Sequence, residues 1–301
     1  MSPRQFLLLA VFLLVAGRNA VCQEPEAVTF RSAVSLVRVD VEVLDPGGAI
    51  AAGLQKSDFR IFDQGREQPV VSASFGQEPL DLILLFDLSG SMRGKLLALV
   101  RAVELGIQEL SSGDRVGVMA YDSGPRELLP FTPDMDVVNQ AIFLKVPALR
   151  FSGETALDRA ADSAAFRLRA EPGSARCRAV LLVSDRTAPA TASVVRDLWQ
   201  SDAVLGELIL GKASGEFRIP ERGGNSLADR TGGATVITGD PGRAFQQAVR
   251  LLRRRYTLFF ALPAATPGSE RSLDVRLSDD ALRRFPGARV RARTGYVVPA
   301  P

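Results

Sequence analysis

Hydrophobic positions change character along the chain, and each change marks a different kind of element. Val37, Val39, Val41 and Val43 alternate with Arg38, Asp40 and Glu42. That is the period-two pattern of a half-buried strand, and Asp45-Pro46-Gly47-Gly48 turns it. Asp58–Phe62 and Pro69–Phe75 read as two further strands around Gln64-Gly65. From Pro79 the pattern shifts: Leu80–Phe86 is a nearly continuous apolar run, as expected of a strand buried on both faces. Leu96, Val100, Val103, Ile107 and Leu110 then fall on one face of an amphipathic helix. Strand-like Val116–Tyr121, Ala179–Ser184, Ala203–Leu210 and Ala234–Ile237 alternate with helical patterns near Thr155–Arg169, Ala192–Ser201 and Arg243–Arg254. Past Arg255 the helical pattern stops, and Tyr256–Leu262, Ser272–Leu277 and Arg289–Ala292 read as strands.

This order predicts an α/β fold, a doubly wound and mainly parallel sheet over residues 79–255. The flanking segments, 23–78 and 256–301, are each strand-rich and are expected to pair with one another as one β-sandwich module. Residues 1–22 read as a signal peptide. Arg4 precedes the apolar run Phe6–Ala16, and small residues at Ala20 and Cys22 lead to Gln23. Cys22 lacks the preceding small residue of a lipoprotein signal. The run is shorter than the roughly 20 residues a spanning helix needs. The expectation is an exported protein, periplasmic or secreted, with no stable membrane span after cleavage.

Composition narrows the chemistry. The 301 residues are 46% hydrophobic and 24% charged, enough for a substantial core. Histidine is absent, which removes His-based triads and His-containing zinc sites. Two cysteines make neither a metal cluster nor a disulfide framework. Cys177 reads as a small residue entering a buried strand, with a crosslink between chains as the alternative. The net charge of +3 hides an uneven distribution, with eleven arginines against four acids from Arg250 onward. Arg253-Arg254-Arg255 reads as the solvated end of the last helix, where cations suit the negative pole, or as an anion-binding patch. No groove-reading motif accompanies these charges, so no nucleic-acid partner is expected. Gly90–Lys95 has the wrong spacing for a phosphate loop, so no nucleotide is expected either.

The chemistry gathers at strand ends. Asp87-Leu88-Ser89-Gly90-Ser91-Met92 follows the first buried strand and places a carboxylate and two hydroxyls at alternate positions. Ligands of doubly wound sheets bind at this carboxyl edge. Thr155 opens a later helix, and Asp185 ends the strand Ala179–Ser184. Helix capping explains one of these hydroxyls, not the set of five. Hard oxygen donors suit Mg²⁺, Mn²⁺ or Ca²⁺.

Asp87-x-Ser89-x-Ser91, Thr155 and Asp185 in that order resemble the metal-ion-dependent adhesion site of a von Willebrand factor type A domain. The flanks Val39–Gly48, Leu54–Ile61, Tyr256–Phe260 and Arg291–Tyr296 resemble the bacterial exported proteins of that type. The resemblance implies Mg²⁺ (or Mn²⁺) held directly by Ser89, Ser91 and Thr155, and by Asp87 and Asp185 directly or through water. One position would stay open for an acidic side chain of a protein partner. It implies a binding or adhesion module and no enzyme. The alternatives are a metal-free structural scaffold in an envelope complex and a metal-assisted hydrolase. Arg186 and Glu154 stand where that pattern usually has glycine.

Overall fold

A computed structural model describes residues 35–100, 103–151, 156–171, 175–211 and 217–299. Fourteen strands run along these residues. They are β1 (Leu36–Leu44), β2 (Phe59–Asp63), β3 (Arg66–Gln68), β4 (Val70–Phe75), β5 (Leu80–Asp87), β6 (Arg115–Tyr121) and β7 (Pro125–Thr132). There follow β8 (Cys177–Ser184), β9 (Ala203–Leu210), β10 (Thr235–Thr238), β11 (Tyr256–Ala261), β12 (Glu270–Leu277), β13 (Arg289–Arg291) and β14 (Gly295–Val297).

The central sheet has the order β10-β9-β8-β5-β6-β7, parallel except where β7 runs against β6. Every residue of β5 and β9 is buried, the apolar majority and the acids Asp81, Asp87 and Glu207 alike. Helices cover both faces. On one side pack Leu96, Leu99, Val103 and Phe245, and on the other Ala160, Ala164, Leu168, Leu198 and Trp199. Gly106 allows the close crossing of the helices Val103–Ile107 and Pro241–Arg253, since a Cβ there would lie 2.2 Å from the Phe245 ring. Among the described residues no helix is long and apolar enough to cross a membrane. The signal peptide expected at 1–22 lies outside the described residues.

Both chain ends build the second module. Its sheets have the orders β13-β1-β11-β4 and β14-β12-β2-β3, so strands preceding the α/β domain hydrogen-bond to strands following it. Val39, Val41, Ile61, Tyr256, Leu258 and Phe260 fill the space between them.

Four sequence expectations need correction. The alternation in β1 predicts a half-buried strand, yet Arg38, Asp40 and Glu42 are buried as well as the valines. The polar face meets the α/β domain: Arg38 donates to the Arg176 carbonyl at 2.8 Å and to Cys177 Sγ at 2.6 Å. Cys177 lies against Arg38, Asp40 and Thr257, and burial followed by the Asp40 charge pushes its thiol up to about 12. Of the Arg253–Arg255 run only Arg254, which ends the helix, is solvated. Arg253 donates to Asp114 at 2.6 Å, and buried Arg255 donates to the carbonyls of Gly232 at 2.7 Å and Asp40 at 3.2 Å. Helical structure also returns beyond Arg255, at Asp279–Arg284, capped by Ser278, whose hydroxyl accepts the Ala281 N–H at 3.2 Å. Finally, β7 and the helix Met135–Ala148 stand in a stretch that gave no periodic signal. The prolines Pro125 and Pro130 are tolerated because β7 is an edge strand.

Candidate functional site

The adjacent parallel strands β5 and β8 run in register, Phe86 opposite Val183, and their carboxyl tips put Asp87 beside Ser184 and Asp185. In the loop after β5, Leu88 and Met92 are fully buried and anchor the turn to the core. Leu88 N–H donates to the Tyr121 carbonyl at 2.8 Å, and Met92 N–H to the Ser89 carbonyl at 2.9 Å. With the apolar positions held inward, Ser89 and Ser91 project together, and their hydroxyls share a hydrogen bond at 3.2 Å.

Asp87 is held from two sides. Its Oδ1 accepts the Ser89 N–H at 2.7 Å and its Oδ2 accepts the Ser184 hydroxyl at 2.7 Å. Tyr121 is buried beside this pair. Burial first, then the Asp87 charge, pushes its phenol well above the ordinary tyrosine range, so it stays protonated. Asp185 is partly exposed, and Lys95 Nζ donates to its Oδ2 at 3.1 Å. Burial is the largest influence and raises its pKa. Hydrogen bonds from Ser91 and Lys95, and the charges of Lys95 and Arg186, outweigh it and hold the carboxyl below the usual aspartate range.

Four of the five expected oxygen residues, Asp87, Ser89, Ser91 and Asp185, therefore stand at one sheet edge. Thr155 lies outside the described residues, as does Glu154. Its chain neighbour Ala156 is tied to the same edge, donating its N–H to the Asp122 carbonyl at 2.6 Å. Asp122 is a third carboxylate at the edge and is ion-paired with Arg126. Ser184, Lys95, Tyr121 and Asp122 were not singled out from sequence. Ser184 was detectable as the one polar residue ending an apolar strand, and Lys95 as a cation four residues past Ser91, on the same side of the turn.

The donors fit a hard dication: they are hydroxyl and carboxylate oxygens, free of sulfur and imidazole. Among the described residues no group of three or more Asp, Glu or Cys gathers as a metal cage, at this edge or elsewhere. Beside the site opens a groove of about 580 Å³ lined by Tyr121, Leu157, Arg159, Ser184, Arg186 and Pro189, among others.

Residues 82–187 match the family profile described as von Willebrand factor type A domain. Among solved structures the chain is similar to "von Willebrand factor type A from Catenulispora acidiphila", at 16% identity and a TM-score of 0.46, over 90% of this chain and 76% of that one. It is also similar to an aerotolerance-related membrane protein from Bacteroides fragilis NCTC 9343, at 20% identity and a TM-score of 0.39, over 58% of this chain and 88% of that one. A third similar structure is proximal thread matrix protein 1 from the mussel byssus, with a zinc-occupied MIDAS motif. There the identity is 13% and the TM-score 0.44, over 61% of this chain and 49% of that one. No curated protein matches the chain significantly.

Proposed function

The chain carries a von Willebrand factor type A domain, and on that premise we propose that it is an exported protein-binding module whose β5–β8 edge takes up one Mg²⁺ or Mn²⁺ ion and recognises an acidic partner. The observation that carries this reading is the pair of facing hydroxyls, Ser89 and Ser91, set beside the carboxylates of Asp87 and Asp185.

Ser89, Ser91, Asp87 and Asp185 would hold the ion, joined by Thr155 on the sequence pattern. When bound, the ion supplies a positive charge with room for one more oxygen ligand, which suits a carboxylate. The chain's own residues prepare that chemistry. The Ser89 amide and Ser184 hydroxyl fix both oxygens of Asp87, so the carboxylate needs no reorientation. Arg159 and Arg186 line the adjoining groove with a single acid, Asp158, and that balance favours an acidic segment over a basic one.

Calorimetric titration of Mg²⁺ and Mn²⁺ into metal-stripped protein tests this. Saturable one-site binding that disappears in Asp87→Ala is the expected result. Absence of binding would leave the second reading, a metal-free scaffold. That reading draws on one observation: Lys95 already brings a positive charge to Asp185.

A further inference from the structure

Among the described residues the carboxylates that form ion pairs are held by arginine, with Asp185 the exception. Asp81 is gripped by Arg115 and Arg176, Asp63 by Arg271, and Asp114 by Arg253. Arginine outnumbers lysine heavily, with only Lys56, Lys95, Lys145 and Lys212 among the 37 basic residues. One of those four lysines reaches the candidate metal site.

Lys95 leaves the helix Arg93–Val100 four residues beyond Ser91 and makes a single contact of 3.1 Å with Asp185 Oδ2. The two side chains keep 29% and 17% of their surface exposed, so the ammonium sits at the water boundary. Asp185 is also bonded by Ser91, and Arg186 contributes its charge from the next position in the chain. Chemistry separates this contact from the arginine ones. A guanidinium grips a carboxylate through two parallel bonds, as Arg271 grips both oxygens of Asp63. A lysine ammonium is a compact, strongly hydrated charge on a flexible stem and is released at little cost.

We infer that Lys95 is the resident counter-cation of the site, holding Asp185 in the metal-free protein and swinging out to solvent when a divalent ion binds. The inference rests on the metal reading above. An ammonium and a dication repel at contact distance, so the two states exclude one another. The exchange keeps the metal-free edge from carrying two uncompensated carboxylates. It also weakens metal affinity by the worth of the pair it breaks.

The scarcity of lysine supplies the test. Reductive methylation with ¹³C-formaldehyde gives the purified protein one dimethyl-lysine signal per lysine, and Lys95→Arg identifies that of Lys95. Adding Mg²⁺ should shift the Lys95 signal toward its solvent-exposed position, with the midpoint found by calorimetry. Lys95→Met should bind Mg²⁺ about 3- to 10-fold more tightly, as loss of a part-exposed pair and a repelling charge implies. Lys95→Arg, which keeps the charge, should bind no more tightly than the parent. Mg²⁺ uptake with a stationary Lys95 signal, or unchanged affinity in Lys95→Met, overturns the inference and leaves the metal site standing. Uptake by Lys95→Met alone supports it, with the lysine closing the site outright. If neither protein binds Mg²⁺, the metal reading fails and the displacement with it.

Discussion

Strand β5 carries a buried aspartate at each end, and the two are treated in opposite ways. Asp81 and Asp87 are each 1% exposed. Asp81 receives two arginines: Arg115 donates at 2.9 and 2.7 Å and Arg176 at 2.6 Å. Asp87 receives one backbone amide and one serine hydroxyl. Burying a carboxylate without compensation is costly, so the cationic partner is the informative difference. At the amino edge of the sheet the chain supplies full charge compensation. At Asp87 it supplies neutral hydrogen bonds, and the nearest ion pair is that of Lys95 with the neighbouring Asp185, which leaves compensation of Asp87 to a cation from outside.

A third buried acid in the same sheet shows another solution. Glu207 on β9 accepts the Ala188 N–H at 3.1 Å and the Thr235 hydroxyl at 2.8 Å. Burial pushes its pKa up to about 7 against those hydrogen bonds, with the Asp229 charge adding to the rise. Arginine compensates Asp81, a proton compensates Glu207 as pH falls below about 7, and the metal reading assigns Asp87 an ion. The module boundary adds an intermediate case. Glu42 is fully buried with Arg291 at 3.6 Å and Arg255 at 3.8 Å, and burial raises its pKa despite both. Neither of its oxygens has a hydrogen-bond partner among the described residues.

The contrast breaks most visibly at Asp81. Asp81→Ala should cost about 3 kcal/mol in urea unfolding, because two arginines lose their shared partner. It should leave Mg²⁺ titration unchanged, and loss of metal binding there would erase the distinction between the two ends of β5.

Glu207→Gln sharpens the second case. The folded protein keeps this proton above the ordinary glutamate value of 4.5, where the unfolded chain has released it. Its contribution is complete below 4.5 and is lost as pH rises through about 7. The variant should match the parent near pH 4 and be more stable by about 1–3 kcal/mol at pH 8. Parallel stability–pH curves for the two proteins would refute this.

Asp87→Asn should change metal-free stability by less than about 1 kcal/mol, since the amide preserves shape and part of the hydrogen bonding. It should nevertheless remove Mg²⁺ binding. A loss as large as that of Asp81→Ala would make Asp87 a structural residue. The smallest expected effect concerns Cys177. With its thiol pushed up to about 12, it should barely react with a thiol reagent at pH 8 until urea unfolds the protein. Rapid native labelling would show that the β1 interface opens.

The fold was legible where burial and sequence pattern have one cause. Leu80–Phe86 and Ala203–Leu210 lie in strands covered on both faces, and their composition says so. The helix face Leu96, Val100, Val103 and Ile107 is buried as its spacing requires. The pattern misled where polar residues face protein in place of water. Arg38, Asp40 and Glu42 alternate with valines as solvent-facing residues do, and only the docking of β1 on the α/β domain reveals their burial. Arg253 and Arg255 misled in the same way, because pairing with Asp114 or with backbone carbonyls leaves no periodic trace. At the site, Asp87, Ser89, Ser91 and Asp185 stood out by their position at strand ends. Lys95 and Ser184 act through contacts between elements 90 and 97 residues apart, and those distances are set by packing.

The pairing of β1 with β11 imposes an order of assembly. Leu36 lies opposite Ala261, so the first described strand leaves the ribosome about 225 residues ahead of its partner. Such long-range pairing is slow and exposes an unpaired edge meanwhile. Between them comes the whole α/β domain, delivered by β4 and returned to β11 with Phe75 opposite Tyr256. The inserted domain thus serves the module as a template: until it has folded and brought its two ends together, β1 has no sheet to join.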